Sequence, residues 1–280
     1  MPPLSVIVST SPGREPQLSY CLEALCRQRH VNFEVIVCDD GSTGGRAVVN
    51  GFLPRLSLDY QWWPNAGCPS RSRNAGAAAS RHDWLVFIDS DVLLNPGALA
   101  AYAHYLPADP SRLLYAYVGC DRDSTAESIF FSDLAVNFWD ARFDWTSDGL
   151  APLKRLFHSP YENAYAGNFG LHRQTFASIG GFDERFYGWG GEDLDFGEAA
   201  VKRGFEVHFL LDAWAEHQVH TVAQDFHSRP SEQRGHSYVF RPHKAVGYQV
   251  QVIYSAPVRQ WLEQLIRSHY AAKLKPLRLE

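Results

Sequence analysis

Short apolar runs recur along the first hundred residues, and each holds few polar positions. They read LSVIVST at 4–10, FEVIVCDD at 33–40 and DWLVFIDSD at 83–91. Apolar runs without alternating polar residues are typical of strands that a sheet buries on both faces, as in parallel sheets covered by helices. Segments 15–28 and 70–81 lie between these runs and place apolar or small residues at helical spacing. The alternation predicts an α/β fold with a mostly parallel central sheet flanked by helices.

The pattern changes after residue 120. Residues 121–160 show no regular pattern, and the aromatic-rich stretch at 128–145 within them predicts an irregular helix whose rings we expect mainly in the core. The sequence then predicts a helix at Arg173–Ile179, which two glycines at 180 and 181 end. Further predicted elements are a helix from residue 192 to a stop at Gly204, a strand at 205–212, a polar loop at 224–243 and a helix at 256–274.

Composition and charge narrow the class of protein. The 280 residues carry a formal net charge of −5 and 20% charged side chains, which argues against a nucleic-acid partner. Aromatic residues make up 14%, a content that suits a core but also a sugar-binding cleft. The five cysteines are odd in number and irregularly spaced, so we expect free thiols in a reducing compartment.

The beginning of the chain, MPPLSVIVST, lacks the basic and apolar parts of a secretion signal. No run of about 18 apolar residues occurs, so no transmembrane segment is predicted. We therefore expect a cytoplasmic protein, for which peripheral association with a membrane stays open.

Acidic residues follow two of the predicted strands. Asp40 ends one of them, and Asp89, Ser90 and Asp91 end another. Ligands of open α/β sheets collect beyond the carboxyl ends of the strands, so these acids lie where a ligand is expected. Two carboxylates at one strand end need solvent or a cation, and a divalent ion such as Mn²⁺ or Mg²⁺ that also binds a diphosphate would satisfy them. An alternative is that Asp40 only begins a turn, because Gly and Ser follow it.

Two histidines follow the strand predicted at 205–212. His217 and His220 stand in the sequence WAEHQVHTV, and an imidazole that completes an oxygen-rich site would favour Mn²⁺ over Mg²⁺. The alternative is that both are surface or structurally hydrogen-bonded histidines.

The segment YGWGGEDLDFG places Glu192, Asp193 and Asp195 within four positions. As the first turn of a helix, these acids would each stabilise its positive end by roughly 0.3 to 1 kcal/mol. That interpretation leaves the preceding Gly-Trp-Gly-Gly unexplained, because glycines before a helix cost conformational entropy. A carboxylate on such an element could instead accept a proton from a hydroxyl nucleophile.

These motifs, in this order, resemble family 2 glycosyltransferases of the GT-A fold over residues 4–120. Residues 163–221 resemble the acceptor-side segment that β-1,4-galactosyltransferases and chondroitin-type polymerases share. The resemblance implies a nucleotide-sugar-binding half at 1–120 and an acceptor-side, catalytic half of the same domain at 121–221. Residues 222–280 would form a loop and a C-terminal helical extension.

The resemblance also implies roles for individual residues. Asp193 would be the general base, and Glu192 and Trp189 would bind the acceptor. Donor binding would involve Thr10, Asp40, Arg73, Asp89, Ser90 and Trp189. The metal would be held by Asp91 and His220, with the roles of Asp89 and His217 as ligands open.

Two departures from the family pattern are visible. His217 stands where the galactosyltransferase M-x-x-H metal site has methionine, which leaves its role open. The sequence STSPGRE replaces a more usual Tyr-Asn pair after the first strand, so the resemblance assigns no base contacts to that loop.

The function implied is inverting, metal-dependent transfer of a sugar from a nucleotide diphosphate, most simply a UDP-sugar, to a glycan or glycoconjugate hydroxyl in polysaccharide biosynthesis. The polar loop at 224–243 would then fold over the donor as a lid, or would be a solvated surface loop. Two other classes stay open. A nucleotidyltransferase would want a glycine-rich basic loop after the first strand, which this sequence lacks. The second class is a non-catalytic sugar- or nucleotide-binding protein, which would not need to retain all of the carboxylates named above.

Overall fold

A computed structural model describes residues 1–29, 32–65, 67–120, 144–146, 149–151, 164–186, 190–218, 252–258 and 260. The predicted polar loop at 224–243, most of the aromatic segment at 121–160 and most of the helix predicted at 256–274 lie outside these residues.

The first half of the fold alternates strands and helices, as the hydrophobic pattern predicts. Its elements are β1 (Leu4–Thr10), α1 (Glu15–Cys26), β2 (Phe33–Asp39), α2 (Gly45–Phe52), β3 (Leu58–Trp62), α3 (Pro69–Ala79) and β4 (Trp84–Asp89). Strand β1 pairs in parallel with both β2 and β4, and Ser9 lies opposite Cys38 on one side and Asp89 on the other. The carboxyl ends of the three strands therefore meet at one edge of the sheet.

The second half adds strands that run both ways. Its elements are β5 (Val92–Leu94), α4 (Ala98–Tyr105), a 3₁₀ turn (Leu106–Ala108), β6 (Arg112–Cys120), β7 (Asp144–Thr146), β8 (Gly149–Ala151), β9 (Asn168–His172), α5 (Arg173–Ile179), α6 (Glu192–Lys202), β10 (Glu206–His217) and β11 (Val252–Ile253). The predicted helices at Arg173–Ile179 and from residue 192 are confirmed.

The central sheet has the order β11-β10-β6-β9-β4-β1-β2-β3, and β5 pairs with β10 beside it. Strand β9 runs antiparallel to both β4 and β6, while β10 pairs in parallel with β6 on one side and β11 on the other. Ile88 lies opposite Asn168, so the chain enters β9 at the same edge where β4 ends. The sheet is therefore mixed but mostly parallel.

Both faces of the sheet are buried, which explains the continuous apolar strands. Val6 and Val8 of β1 belong to a core cluster that includes α1 and α4. Ile7 points to the other face, where its cluster includes Phe87 and Phe169, whose rings stack with centroids 4.8 Å apart. Alternate residues of one strand thus enter two separate cores.

Strand β10 is longer than the sequence predicts. The predicted strand ends at residue 212, whereas the observed strand continues to His217 through a register shift between Leu210 and Ala215. Asn95 holds this irregular stretch, because its Nδ2 donates to the carbonyls of Asp212 at 3.0 Å and Trp214 at 2.8 Å. The bulge carries His217 to the edge where β4 ends.

Candidate functional site

Helix α3 connects the two halves of the candidate site. Pro69 stands in its first turn, where the missing N–H of proline costs nothing, and small residues line the face toward the sheet. A methyl group on Gly76 would lie 2.9 Å from Sγ of Cys38 and closer still to Cγ2 of Ile7. Glycine at this position therefore lets α3 lie close against β1 and β2, next to the carboxyl edge.

Arg73 on α3 binds two acids that are distant in sequence. Its Nη2 lies 2.9 Å from Oδ1 of Asp89, and its Nη1 lies 2.9 Å from Oε1 of Glu192. The Arg73 side chain is 5% exposed and its guanidinium lies over the ring of Phe182, with Cζ 5.3 Å from the centroid. Burial opposes its charge, but Asp89 and Glu192 keep the pKa of Arg73 above its ordinary value. The guanidinium of Arg73 thus joins the end of β4 to the start of α6.

The first turn of α6 carries Asp193, the predicted general base, and Glu192, which is predicted to bind the acceptor. Gly190 and Gly191 precede it with φ of +90° and +101°, a left-handed conformation that residues with a side chain rarely adopt. These two glycines turn the chain so that Glu192 enters the site, which accounts for the glycines before the acids. Tyr187, Gly188 and the predicted donor and acceptor residue Trp189 lie outside the described residues.

Asp193 is partly buried beside Glu192. Burial, reinforced by the negative charge of Glu192, raises the pKa of Asp193 to about 7, although Arg73 and an N–H···O bond from Leu194 oppose the shift. A carboxylate that titrates near neutral pH can accept a proton at a useful rate and still be ionised. A pKa near 7 is what the predicted role of Asp193 as general base requires.

Asp89 and Asp91 lie at the end of β4. Burial raises the pKa of Asp89 above its ordinary value, and Arg73 counteracts this shift while Asp91 adds to it. A third of the Asp89 side chain still reaches the surface. Asp91 Oδ2 lies 3.6 Å from Nε2 of His217, so the extended β10 brings a histidine to the second acid.

The metal predicted from the sequence fits the chemistry of these side chains. Asp91 offers a carboxylate and His217 an imidazole, and Oδ2 of Asp91 lies 3.6 Å from Nε2 of His217. The carboxylates of Asp89 and Glu192, in contrast, both pair with the guanidinium of Arg73. Oxygen and imidazole ligands suit Mn²⁺. Among the residues that the structure describes, no group of three His, Cys, Asp or Glu side chains is arranged around a metal position. His220, the other predicted ligand, lies outside them.

The residues predicted to bind the donor lie along the same edge. Thr10 is buried, and its carbonyl accepts the N–H of Asp40 at 3.0 Å. Ser90 is buried as well, and its N–H donates to the carbonyl of Ser9 at 2.9 Å. Sheet hydrogen bonding therefore positions Thr10, Asp40 and Ser90 around the ends of β1, β2 and β4.

Asp40 does more than begin a turn. Its Oδ1 accepts from Nη2 of Arg71 at 2.8 Å, and its Oδ2 accepts from the N–H of Cys68 at 3.2 Å. The turn is instead closed by Asp39, which accepts the N–H of Ser42 at 2.8 Å. The side chain of Asp40 is thereby held at the edge of the sheet, facing the start of α3.

Sequence reasoning missed two residues of α3. Arg71 pairs with Asp40, and its guanidinium also faces the ring of Trp63. Asn74 accepts the N–H of Phe182 at 2.8 Å and donates to the carbonyl of Phe182 at 2.8 Å and to Glu184 at 2.9 Å. Asn74 thus docks the segment that leads to α6. Helical spacing alone would place both residues on α3, but their partners come from elements far along the chain.

Four of the five cysteines, Cys21, Cys26, Cys38 and Cys68, have described side chains and are free, as the sequence predicts. No helix in the described part of the chain is long and apolar enough to cross a membrane.

Two family models match the sequence. Residues 5–133 match the one described as Glycosyl transferase family 2, and residues 153–238 match the one described as N-terminal domain of galactosyltransferase. These matches confirm the resemblance to family 2 glycosyltransferases and, over the second range, to galactosyltransferases.

Curated relatives agree with this family. The chain is 32% identical to a validoxylamine A glucosyltransferase of Streptomyces hygroscopicus subsp. limoneus over 235 residues, which are 76% of this chain and 51% of that protein. It is 26% identical to a chondroitin synthase of Escherichia coli over 237 residues, which are 77% of this chain and 34% of that protein. The chain thus spans about half or less of the length of these relatives.

A solved structure shares the fold. The S. aureus TarS structure of residues 1–349 in complex with UDP-GlcNAc superposes with a TM-score of 0.60 at 20% identity, covering 78% of this chain and 59% of that one. The predicted GT-A fold is confirmed.

Proposed function

We propose, from its place among the family 2 glycosyltransferases of GT-A fold, that this chain transfers a sugar from a nucleotide diphosphate to an acceptor hydroxyl with inversion at the anomeric carbon. The observation that carries the proposal is the bridge of Arg73 between Asp89 and Glu192, each at 2.9 Å. It joins the end of β4, where a donor would bind, to the turn that presents Asp193.

Asp193 is the general base of the proposed reaction. Its carboxylate takes the proton of the acceptor hydroxyl as that oxygen attacks the anomeric carbon. The new bond forms between the acceptor oxygen and the carbon, while the bond from the carbon to the diphosphate oxygen breaks on the opposite face. The pKa of about 7 for Asp193 supports this role at neutral pH.

The acceptor would be bound next to the base. Glu192 is buried, its Oε1 accepts from Arg73, and its Oε2 has no hydrogen-bond partner among the described residues. A buried carboxylate oxygen without a donor favours a ligand hydroxyl that donates to it. This supports a sugar acceptor at Glu192, to which Trp189 would contribute an aromatic face.

The donor would lie along the ends of β1, β2 and β4, on Thr10, Asp40, Arg73, Asp89 and Ser90. A UDP-sugar is the donor we propose, and the TarS structure with UDP-GlcNAc supports it as an example on the same fold. The product would be a polysaccharide or another glycoconjugate, as the chondroitin synthase relative suggests. A cytoplasmic location stays a prediction.

Mn²⁺ (or Mg²⁺) is the proposed cofactor, held by Asp91 with His217 and His220 and with Asp89 close by. When bound, the ion would neutralise charge that develops on the departing diphosphate. Asp91 and His217 lie 3.6 Å apart, which supports both as ligands.

The variant Asp193→Asn tests the base. It keeps the size of the side chain but cannot accept the proton, so we expect transfer to fall by about 100-fold or more with donor affinity nearly unchanged. Transfer is measured as release of nucleotide diphosphate with a panel of acceptors, and donor affinity by calorimetry. Asp195→Asn, in the same helical turn, is the matched control and should transfer like the wild type. Normal turnover by Asp193→Asn would remove Asp193 from the mechanism.

A further inference from the structure

Gln218 directly follows β10 and is almost completely buried, with 1% of its surface exposed. Its backbone N–H donates to the carbonyl of Asp91 at 2.7 Å. This bond continues the antiparallel pairing of β10 with β5, in which His217 lies opposite Val92. The main chain therefore aligns Asp91, which lies between β4 and β5, with the end of β10.

The side chain of Gln218 adds a second connection to the same turn. Its Nε2 donates to the carbonyl of Ser90 at 3.3 Å and to the carbonyl of Gln17, in the first turn of α1, at 3.0 Å. Both partners are acceptors, so only the NH₂ end of the amide can face them. Gln218 thus hydrogen-bonds to two successive carbonyls, those of Ser90 and Asp91, and also to the first turn of α1.

This arrangement bears on the pair of Asp91 and His217. The two side chains belong to different strands, and their 3.6 Å separation depends on the turn at Ser90 staying against the end of β10. Groups that hold a ligand through hydrogen bonds typically change metal affinity by about 10- to 100-fold when removed. A buried amide with two backbone acceptors is well suited to hold the turn.

We infer that Gln218 is a positioning residue, whose amides hold the Ser90–Asp91 turn against β10 so that Asp91 and His217 can bind one divalent cation together. The inference rests on the proposed function, because that function supplies the cation. Gln218 itself is not a ligand in this scheme.

The variant Gln218→Met tests the side-chain part of the inference, because methionine keeps the length of the side chain and removes its N–H donors, while the backbone N–H to Asp91 stays. We expect the dissociation constant for Mn²⁺ to rise about tenfold, measured from the EPR signal of free Mn²⁺ with the purified full chain. The Mn²⁺ concentration for half-maximal activity should rise in parallel, while kcat at saturating Mn²⁺ stays within about twofold. A merely structural role would lower the melting temperature without moving the dissociation constant of the folded protein.

Gln28→Met is the matched control. Gln28 also donates from Nε2 to two carbonyls, those of Asn95 at 2.8 Å and Ala24 at 3.2 Å, but these side-chain bonds reach neither the Ser90–Asp91 turn nor β10. We expect it to lower stability without weakening Mn²⁺ binding. Gln218→Asn keeps the amide on a shorter stem and should weaken binding in the same direction, which keeps the test valid if Gln218→Met folds poorly.

The outcomes separate this inference from the proposed function. Mn²⁺ binding by the wild type that is unchanged in both Gln218 variants overturns the inference alone. Equal weakening in Gln28→Met and Gln218→Met overturns it too, because the effect would then be general. A wild type that binds no Mn²⁺ overturns the metal part of the proposed function, and the inference with it.

Discussion

Glu192 and Asp193 are neighbours in the chain but meet different surroundings. Glu192 is buried and paired with Arg73 at 2.9 Å, so its charge is held in place. The pKa of Asp193 is raised to about 7, first by burial and then by the charge of Glu192, and the charge of Arg73 only partly offsets this shift. Adjacent carboxyl groups whose environments differ in this way commonly divide their tasks. In the proposed mechanism, Glu192 binds the acceptor and Asp193 exchanges the proton.

The variant Glu192→Gln tests this division. It removes a negative charge beside Asp193 and leaves Arg73 less neutralised, and both changes favour the ionised form of Asp193. The pKa of Asp193 should fall, so the acid limb of the pH profile of kcat should move down by about one pH unit. Turnover at saturating acceptor, measured from acid to neutral pH, shows the shift.

Asp195→Asn is the control for the pH profile, because it removes an acid from the same helical turn. Its profile should match that of the wild type. An acid limb that stays in place in Glu192→Gln would mean that Glu192 does not set the pKa of the catalytic group, or that Asp193 is not that group.

At the scale of elements, sequence patterns locate α3 and β4, but they do not identify the residues that pair with the side chains of these elements. The spacing of small residues predicts α3, and the acids after an apolar run predict a ligand edge at Asp89. The bonds from Arg71 to Asp40 and from Asn74 to Phe182 join residues 31 and 108 positions apart. Such partners follow from how elements pack, which local periodicity does not encode.

The end of β10 shows the same limit. The apolar pattern ends near Asp212, because the following residues no longer alternate as a regular strand does. Asn95 supplies donors to the carbonyls of Asp212 and Trp214 and so stabilises a bulge that continues the strand. The extension that brings His217 to Asp91 thus depends on a side chain more than a hundred residues upstream.

Close packing of α3 on the sheet predicts opposite outcomes for two glycines in helices. Gly76→Ala places a methyl group 2.9 Å from Sγ of Cys38 and closer still to Ile7, so we expect a loss of about 1 to 3 kcal/mol in the free energy of unfolding. A methyl group on Gly51 in α2 would have no atom within 4 Å, so Gly51→Ala should raise the free energy of unfolding by about 0.5 to 1 kcal/mol.

Urea unfolding of the two alanine variants beside the wild type measures both changes. Gly76→Ala should also weaken donor binding, because α3 carries Arg73 into the site, whereas Gly51→Ala should leave it unchanged. Equal stability of the two variants would mean that α3 can shift away from β1 without cost.

On the scale of the whole molecule, acidic side chains at the carboxyl ends and at the amino ends of the strands lie in different surroundings. Acids at the carboxyl end face the candidate site, while the amino end buries Glu34 in a closed set of hydrogen bonds. Glu34 accepts from Oγ of Ser5 at 2.7 Å, from the N–H of Arg81 at 2.6 Å and from Nε of Arg81 at 2.6 Å. Along β2, Glu34 lies about 17 Å from Asp39, at roughly 3.3 Å per residue. Its contribution should therefore be to stability and not to transfer.

The variant Glu34→Gln should lower the free energy of unfolding at neutral pH by about 2 kcal/mol, because an amide cannot accept from every donor that surrounds Glu34. Burial alone would raise the pKa of Glu34, but the bonds from Ser5 and Arg81 outweigh it and hold that pKa below its ordinary value. The extra stability is therefore present above the ordinary pKa of a glutamate, about 4.3, and is lost as the pH falls through the lower pKa of the folded protein. Urea unfolding at a series of pH values should show the free energies of unfolding of the wild type and the variant converging in acid, with kcat at neutral pH unchanged.

Glu23→Gln is the matched control, because it weakens a pair with Arg55 at 2.6 Å that lies at the surface, and it should lower the free energy of unfolding by less. A stability difference for Glu34→Gln that stays constant in acid would show that the charge of Glu34 is not its source.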